Sequence, residues 1–236
     1  MTSASARVAA LPWPRIETEL ATQGCATTGP LFTPDECAAL TALYGQDKPF
    51  RSRVVMQRHG FGQGEYKYFD YPLPVTLSDW REALYERLAP LANAWAPALG
   101  VDAPYPLRHA EYIARCHAAG QTRPTPLLLR YEPGDYNCLH QDLYGELQFP
   151  LQLTVLLSRP GEDFGGGEFV LTEQRPRMQS RAEVVPLQQG EAVIFAVNQR
   201  PVQGTRGTYR VTMRHGVSRV RSGRRMTLGL IFHDAA

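Results

Sequence analysis

The rhythm of apolar positions changes near residue 121. Before it, the spacing is helical. Thr33-Pro34-Asp35-Glu36 has the form of a helix start, with Thr33 as cap, Pro34 in the first turn and Glu36 completing a capping box. Ala38, Leu40, Leu43 and Tyr44 then supply an apolar face, and Gly45 stops it. A second helix is predicted from Ser78 through Trp80, Leu84, Leu88, Leu91 and Trp95, bent or divided at Pro90. A third is predicted from Pro106 to about Ala119, ending at Gly120.

From Leu127 the runs become short, β-rich and split by Gly and Pro. Strands are predicted near Leu127–Tyr131, Leu139–Asp142, Phe149–Ser158 and Glu168–Thr172. Four more are predicted near Ala182–Pro186, Ala192–Val197, Thr208–Val217 and Met226–His233. Eight short strands after helices predict a mainly β fold with N-terminal helices. Its core would be a double-stranded β-helix, or jelly-roll, with the helices packed on one sheet. Residues 1–120 then form a helical support region, with a substrate-facing segment near 50–71, and residues 121–236 form the jelly-roll core. The division falls inside one compact unit.

The 236 residues suit such a unit, and 43% apolar content is enough for a sizeable core. No apolar run reaches transmembrane length, and Met1 to Pro14 lacks the pattern of a signal peptide, so a soluble cytoplasmic protein is expected. Cys25, Cys37, Cys116 and Cys138 have neither zinc-site nor disulfide spacing and read as reduced thiols. Oligomeric state is not specified by any motif.

The net charge of +2 hides an asymmetry. Residues 175–236 hold eleven arginines, Arg206 among them, against Glu183, Glu191 and Asp234. Lys48 and Lys67 are the only lysines. A GC-rich coding sequence explains Arg in place of Lys, but not the clustering. A basic surface favours a polyanionic substrate.

The chemistry centres on His140-Gln141-Asp142 and the distant His215. In a strand, residues two apart point to one side, so His140 and Asp142 can reach one ion while Gln141 points away. With His215 they make two imidazoles and a carboxylate. That set occupies one face of an octahedral iron and leaves the other open for reactants. The plain alternative is an exposed polar pair at a strand end. His59, His109, His117 and His233 have no comparable partners and read as surface or structural residues, although His59 could face substrate.

Here the chain resembles the Fe(II)/2-oxoglutarate-dependent dioxygenases, in the branch close to prolyl 4-hydroxylases. The resemblance runs from Leu127 to His233, less than half the chain. It rests on Tyr131 with Pro133-Gly134, the H-x-D pair, Phe164-Gly165-Gly166-Gly167-Glu168, Gly190 to Phe195, His215-Gly216-Val217 and Ser222-Gly223-Arg224-Arg225. It implies Fe(II) on His140, Asp142 and His215, with 2-oxoglutarate and O2 as co-substrates and ascorbate as a candidate stimulant. Zinc or manganese could fill the same site in a purified sample. Arg225 would pair with the distal carboxylate of 2-oxoglutarate and Tyr131 would add a hydrogen bond. Arg224 is the rival for Arg225, and Gln152 or Thr154 could contribute from the long strand. The implied reaction hydroxylates a substrate C–H bond and releases succinate and carbon dioxide. No general base or nucleophile is nominated.

Three substrate classes remain: alkylated nucleic acid, a prolyl or other peptide side chain, and a small molecule. Charge puts nucleic acid first, and so does the segment from Phe50 to Tyr71. There Arg51, Arg53, Arg58 and Lys67 interleave with Phe61, Tyr66, Tyr68 and Phe69 among glycines. That segment reads either as a nucleic-acid grip and lid or as a β-hairpin with its aromatics in the core. The ending Asn-x-x-x-x-x-Arg after the distal His, found in AlkB-like repair dioxygenases, is absent, so a DNA-repair role would belong to a different branch. A jelly-roll that only binds a ligand or partner is the non-enzymatic reading.

Overall fold

The computed structural model describes residues 2–205 and 207–236. Met1 and Arg206, named above, lie outside the described residues. The helices are α1 (Ala4–Ala9), α2 (Trp13–Gln23), α3 (Pro34–Leu43), α4 (Val75–Leu99) and α5 (His109–Ala118). The capping box of α3 forms as predicted: Thr33 Oγ1 accepts from the Glu36 N–H at 3.2 Å, and Glu36 Oε2 accepts from the Thr33 N–H at 2.7 Å. Helix α4 starts three residues earlier than Ser78, because the Pro74 carbonyl accepts from Leu77 and Ser78 and so opens the first turn. It runs through Pro90 undivided. Helix α5 begins at His109, not Pro106.

The first strands are β1 (Cys25–Pro30), β2 (Phe50–Val55), β3 (Gly62–Gln63), β4 (Glu65–Phe69) and β5 (Leu127–Tyr131). The next are β6 (Tyr136–His140), β7 (Leu151–Leu156), β8 (Phe164–Gly166), β9 (Phe169–Gln174) and β10 (Arg181–Val185). The last are β11 (Glu191–Ala196), β12 (Gln199–Gly204), β13 (Gly207–Val217), β14 (Val220–Gly223) and β15 (Arg225–Leu230). One antiparallel sheet has the order β1-β11-β7-β15-β5-β4-β2. A second has the order β10-β9-β13-β6-β3, with β12 beside β13. Strands β14 and β8 form a separate ribbon. The first 120 residues therefore do more than support the sheets with helices: β1, β2 and β4 belong to the larger sheet, and β3 to the smaller.

Alternation on the larger sheet separates a helix-facing side from a site-facing side. Leu151, Leu153 and Val155 of β7, Leu128 of β5, and Met226, Leu228 and Leu230 of β15 join the helices in one core. Trp80, Leu84, Leu88 and Ala92 line that core from α4, and Phe32 packs at a tilt on Trp80 with centroids 4.6 Å apart. The opposite parity sends Gln152, Thr154, Leu129, Tyr131, Arg225 and Thr227 to the other side, where all six line one cavity.

Some predicted boundaries move for identifiable reasons. Strand β7 stops short of Phe149 because the Phe149 N–H donates to His233 Nδ1 and not to a ladder partner. Strand β15 ends at Leu230. Beyond it the carbonyls of Ile231 and His233 accept from the buried Arg81 guanidinium, which also pairs with Asp234 at 2.8 Å.

Candidate metal centre and carboxylate pocket

His140 closes β6, and His215 on β13 is its direct cross-strand partner. Their ring centroids lie 4.2 Å apart. Asp142 lies two residues on, in the loop after β6 and not within a strand as expected, yet it returns to the same side. His140 Nε2 is 3.5 Å from Asp142 Oδ1, and His215 Nε2 is 3.3 Å from Oδ2. All three donor atoms fall within 4.8 Å of one another. The exposed-polar-pair alternative does not describe His140 and Asp142, since Asp142 is buried and His140 half-buried against His215.

The surrounding groups orient the donors. His140 Nδ1 donates to the Cys138 carbonyl at 2.8 Å, which leaves the Nε2 lone pair directed at the site. Tyr144 OH donates to Asp142 Oδ1 and Gln152 Nε2 to Oδ2, each at 2.7 Å. Phe195 and Phe169 pack on the His215 ring, with centroids 4.7 and 6.0 Å away. Burial, with the neighbouring His140 charge, holds the His215 pKa below its ordinary value. Burial would push Asp142 up, but hydrogen bonds from the two imidazoles and their charge hold it well below the usual carboxylate range. Ionised Asp142 and unprotonated His215 are forms that bind metal, whereas at His140 burial is outweighed by the hydrogen bond and charge of Asp142, which raise the pKa, so a metal there displaces a proton.

Across the cavity, Arg225 of β15 pairs in register with Tyr131 of β5. Both are fully buried, and the guanidinium sits 5.5 Å from the Tyr131 ring centroid and 5.9 Å from that of Phe164. Arg225 Nε and Nη1 and the Tyr131 hydroxyl have no hydrogen-bond partner among the described residues. Burial pulls the Arg225 pKa down to about 10, so the charge survives at neutral pH. Gly167 makes room for this side chain: its φ is +65°, and a Cβ there would come within 2.8 Å of Arg225 Cδ. Arg224 turns outward to Glu132, 2.8 Å away. The cavity between the donors and Arg225 has a volume of about 210 Å³.

These residues fit a divalent metal with a small dicarboxylate. The donor set is two imidazoles and a carboxylate, and the far end offers an unmatched buried cation and an unmatched hydroxyl.

Of the other residues singled out, Gln152 and Thr154 both line the cavity, Gln152 as an Asp142 partner. His109 and His233 are buried structural groups, with pKa values pushed down by burial to about 3 and about 4. His117 pairs with Asp234, and His59 is exposed. The four cysteines are free. Segment 50–71 is largely the hairpin alternative: β2 and β4 pair with each other and extend the larger sheet. Sequence reasoning missed Tyr144, which reaches the donors from a loop, and it did not separate Phe61 and Tyr66, which line the cavity, from neighbours that do not.

The two facing sheets and the donor triad define the class: an Fe(II)/2-oxoglutarate-dependent dioxygenase built on a double-stranded β-helix. A family model described as "Oxygenase, catalysing oxidative methylation of damaged DNA" matches residues 64–235, and the chain belongs to that family, Oxygenase-NA. The Mycobacterium tuberculosis protein Rv2227 of strain H37Rv is 51% identical over 168 residues, 71% of this chain and 72% of the relative. Among solved structures, a 2OG-Fe(II) oxygenase family oxidoreductase from Burkholderia pseudomallei aligns with a TM-score of 0.51 at 16% identity, covering 94% of this chain and 91% of that one. A prolyl-4-hydroxylase from Pseudomonas putida aligns with a TM-score of 0.50 at 16% identity, covering 91% and 94%. Likeness at this identity shows the fold. No described helix is long and apolar enough to cross a membrane.

Proposed function

We propose that this chain oxidatively dealkylates nucleic acid, with Fe(II) held by His140, Asp142 and His215 and the distal carboxylate of 2-oxoglutarate held by Arg225 and Tyr131. The observation that carries the co-substrate assignment is the unpartnered guanidinium of Arg225. A buried charge without a partner is costly, and a carboxylate entering the cavity beside the guanidinium supplies the missing anion. Alternation along β15 supports Arg225 over Arg224, because Arg225 shares its parity with Thr227 in the cavity wall. The four free cysteines fit a reducing cytoplasm, where ascorbate or another reductant would keep the iron ferrous.

The chemistry supplied by the bound metal and co-substrate is oxidation: one oxygen atom enters succinate as carbon dioxide leaves, and the other enters a substrate C–H bond. The chain positions and shields. Tyr144 and Gln152 fix the Asp142 carboxylate, Phe169 and Phe195 close off water behind His215, and Arg225 orients the co-substrate. Hydroxylation of an N-methyl carbon gives a product that loses formaldehyde and returns the unmodified base. The nucleic-acid assignment rests on the family description. The basic C-terminal stretch supports it less than its composition suggests, since Arg200 and Arg225 are buried and Arg175, Arg210 and Arg224 are held by Glu173, the Ala98 carbonyl and Glu132.

The test is succinate and formaldehyde release from Fe(II)-loaded protein with no substrate, undamaged DNA, N-methylated DNA or a prolyl peptide. Stimulation by methylated DNA alone is expected. Stimulation by the peptide alone would replace the substrate and keep the enzyme class.

A further inference from the structure

Phe61 is 47% exposed although it lines the metal cavity, so it stands at the rim. His59 stacks beside it, with centroids 5.3 Å apart and planes inclined by 22°. Leu143, 43% exposed, lines the same cavity. The entrance is therefore a flat aromatic surface with an apolar neighbour.

This surface is fixed to the strand that ends in His140. The Cys138 N–H donates to the Phe61 carbonyl at 2.9 Å, and Gly62 pairs with Asn137. Gly62 has φ +126°, and a Cβ there would meet the Tyr136 carbonyl oxygen at 2.4 Å, so glycine alone permits so close an approach. The fully buried Met56 anchors the other side, its carbonyl accepting from the Phe61 N–H at 3.2 Å.

The charges nearby are selective. Arg53 is paired with Glu65, Lys67 donates to the Tyr44 and Gln46 carbonyls, and Arg51 donates to the Pro124 carbonyl. Arg58, next to His59, is exposed and forms no ion pair among the described residues. A planar π surface with the exposed Arg58 one residue from its His59 matches a nucleotide, with its base on the ring and a phosphate on the guanidinium. A prolyl side chain offers a saturated ring and no adjoining anion.

We infer that Phe61, stacked on His59, is the platform that receives the target base, taken out of pairing, with Arg58 on an adjoining phosphate. This rests on the nucleic-acid reading above. Within a duplex both faces of a base are already covered by its neighbours, so the platform requires an unpaired or extruded base.

The experiment compares wild type, Phe61→Ala, Phe61→Tyr and Arg58→Ala as Fe(II)- and 2-oxoglutarate-loaded protein. Affinity for an N-methylated single strand and for its duplex is measured anaerobically, and formaldehyde release is measured in air. Phe61→Ala should weaken single-strand binding about tenfold to a hundredfold and raise KM more than it lowers kcat. Phe61→Tyr should restore both. Arg58→Ala should reduce the salt dependence of binding by about one phosphate contact. Tighter binding of the single strand than of the duplex is expected, and equal binding would overturn the unpaired-base requirement. Wild-type turnover of methylated single strands with Phe61→Ala unchanged would overturn the platform and leave the nucleic-acid reading standing. Absence of wild-type formaldehyde release from every methylated nucleic acid would overturn both.

Discussion

Arg200 and Arg225 are equally buried and oppositely furnished. Arg200, on β12, donates through Nη1 to the Ala21 carbonyl and through Nη2 to the Thr22 carbonyl and the Glu173 carboxylate. Arg225, on β15, faces two aromatic rings, and its Nε and Nη1 have no hydrogen-bond partner among the described residues. The first charge is matched by Glu173 and ties α2 to the smaller sheet, although its Nε also lacks a partner among the described residues. The second has no ion-pair partner among the described residues and lines the cavity that holds the metal donors. A buried charge with its partner is accounted for by the fold, whereas one without is a candidate for a ligand, the reading proposed above for Arg225.

The comparison can be sharpened most strongly at the other end of the cavity. Asp142→Ala should abolish succinate formation, because it leaves His140 and His215 as the only two donors. Near-normal turnover would mean that another group is the carboxylate ligand. Exchanging each arginine for methionine keeps the stem and removes the charge. Arg200→Met should destabilise by about 3 kcal/mol, since it strips Glu173 of a buried partner, and Arg175 at 2.8 Å softens the loss. Arg225→Met should leave the denaturant midpoint unchanged or raise it, because it removes an unmatched buried charge. Equal losses in the two variants would break the distinction. Gly167→Ala should cost about 1–2 kcal/mol from its left-handed backbone and raise the 2-oxoglutarate requirement by displacing Arg225, both read from melting and saturation curves. Arg224→Ala removes an exposed ion pair with Glu132 and should shift stability by less than about 1 kcal/mol.

Much of the site could be read from the sequence because alternation in a strand is a strict geometric rule. It separated Gln152 and Thr154 from Leu151 and Leu153, and it made Arg224 and Arg225 mutually exclusive occupants of the cavity wall. The sequence left the choice between them to spacing. The structure shows why Arg225 enters, since its parity matches Thr227 and its stem fits the gap over Gly167. The N-terminal strands were not legible. β1 reads Cys-Ala-Thr-Thr-Gly-Pro, with no apolar alternation, and it holds its place through its pairing with β11. Helix α2 did carry a signal, since Trp13, Ile16 and Leu20 form its buried face. Tyr144 carried none, because it reaches Asp142 through a loop whose course no periodicity describes. The basic C-terminal composition misled in part, because internal pairing is a tertiary property.

The most direct test of the central claim is calorimetric titration of 2-oxoglutarate into anaerobic Fe(II)-loaded wild type, Arg225→Met and Arg224→Ala. One binding site is expected in wild type, weakened on the order of a hundredfold in Arg225→Met and unchanged in Arg224→Ala. Undiminished affinity in Arg225→Met would show that the unmatched guanidinium is not where the co-substrate carboxylate binds.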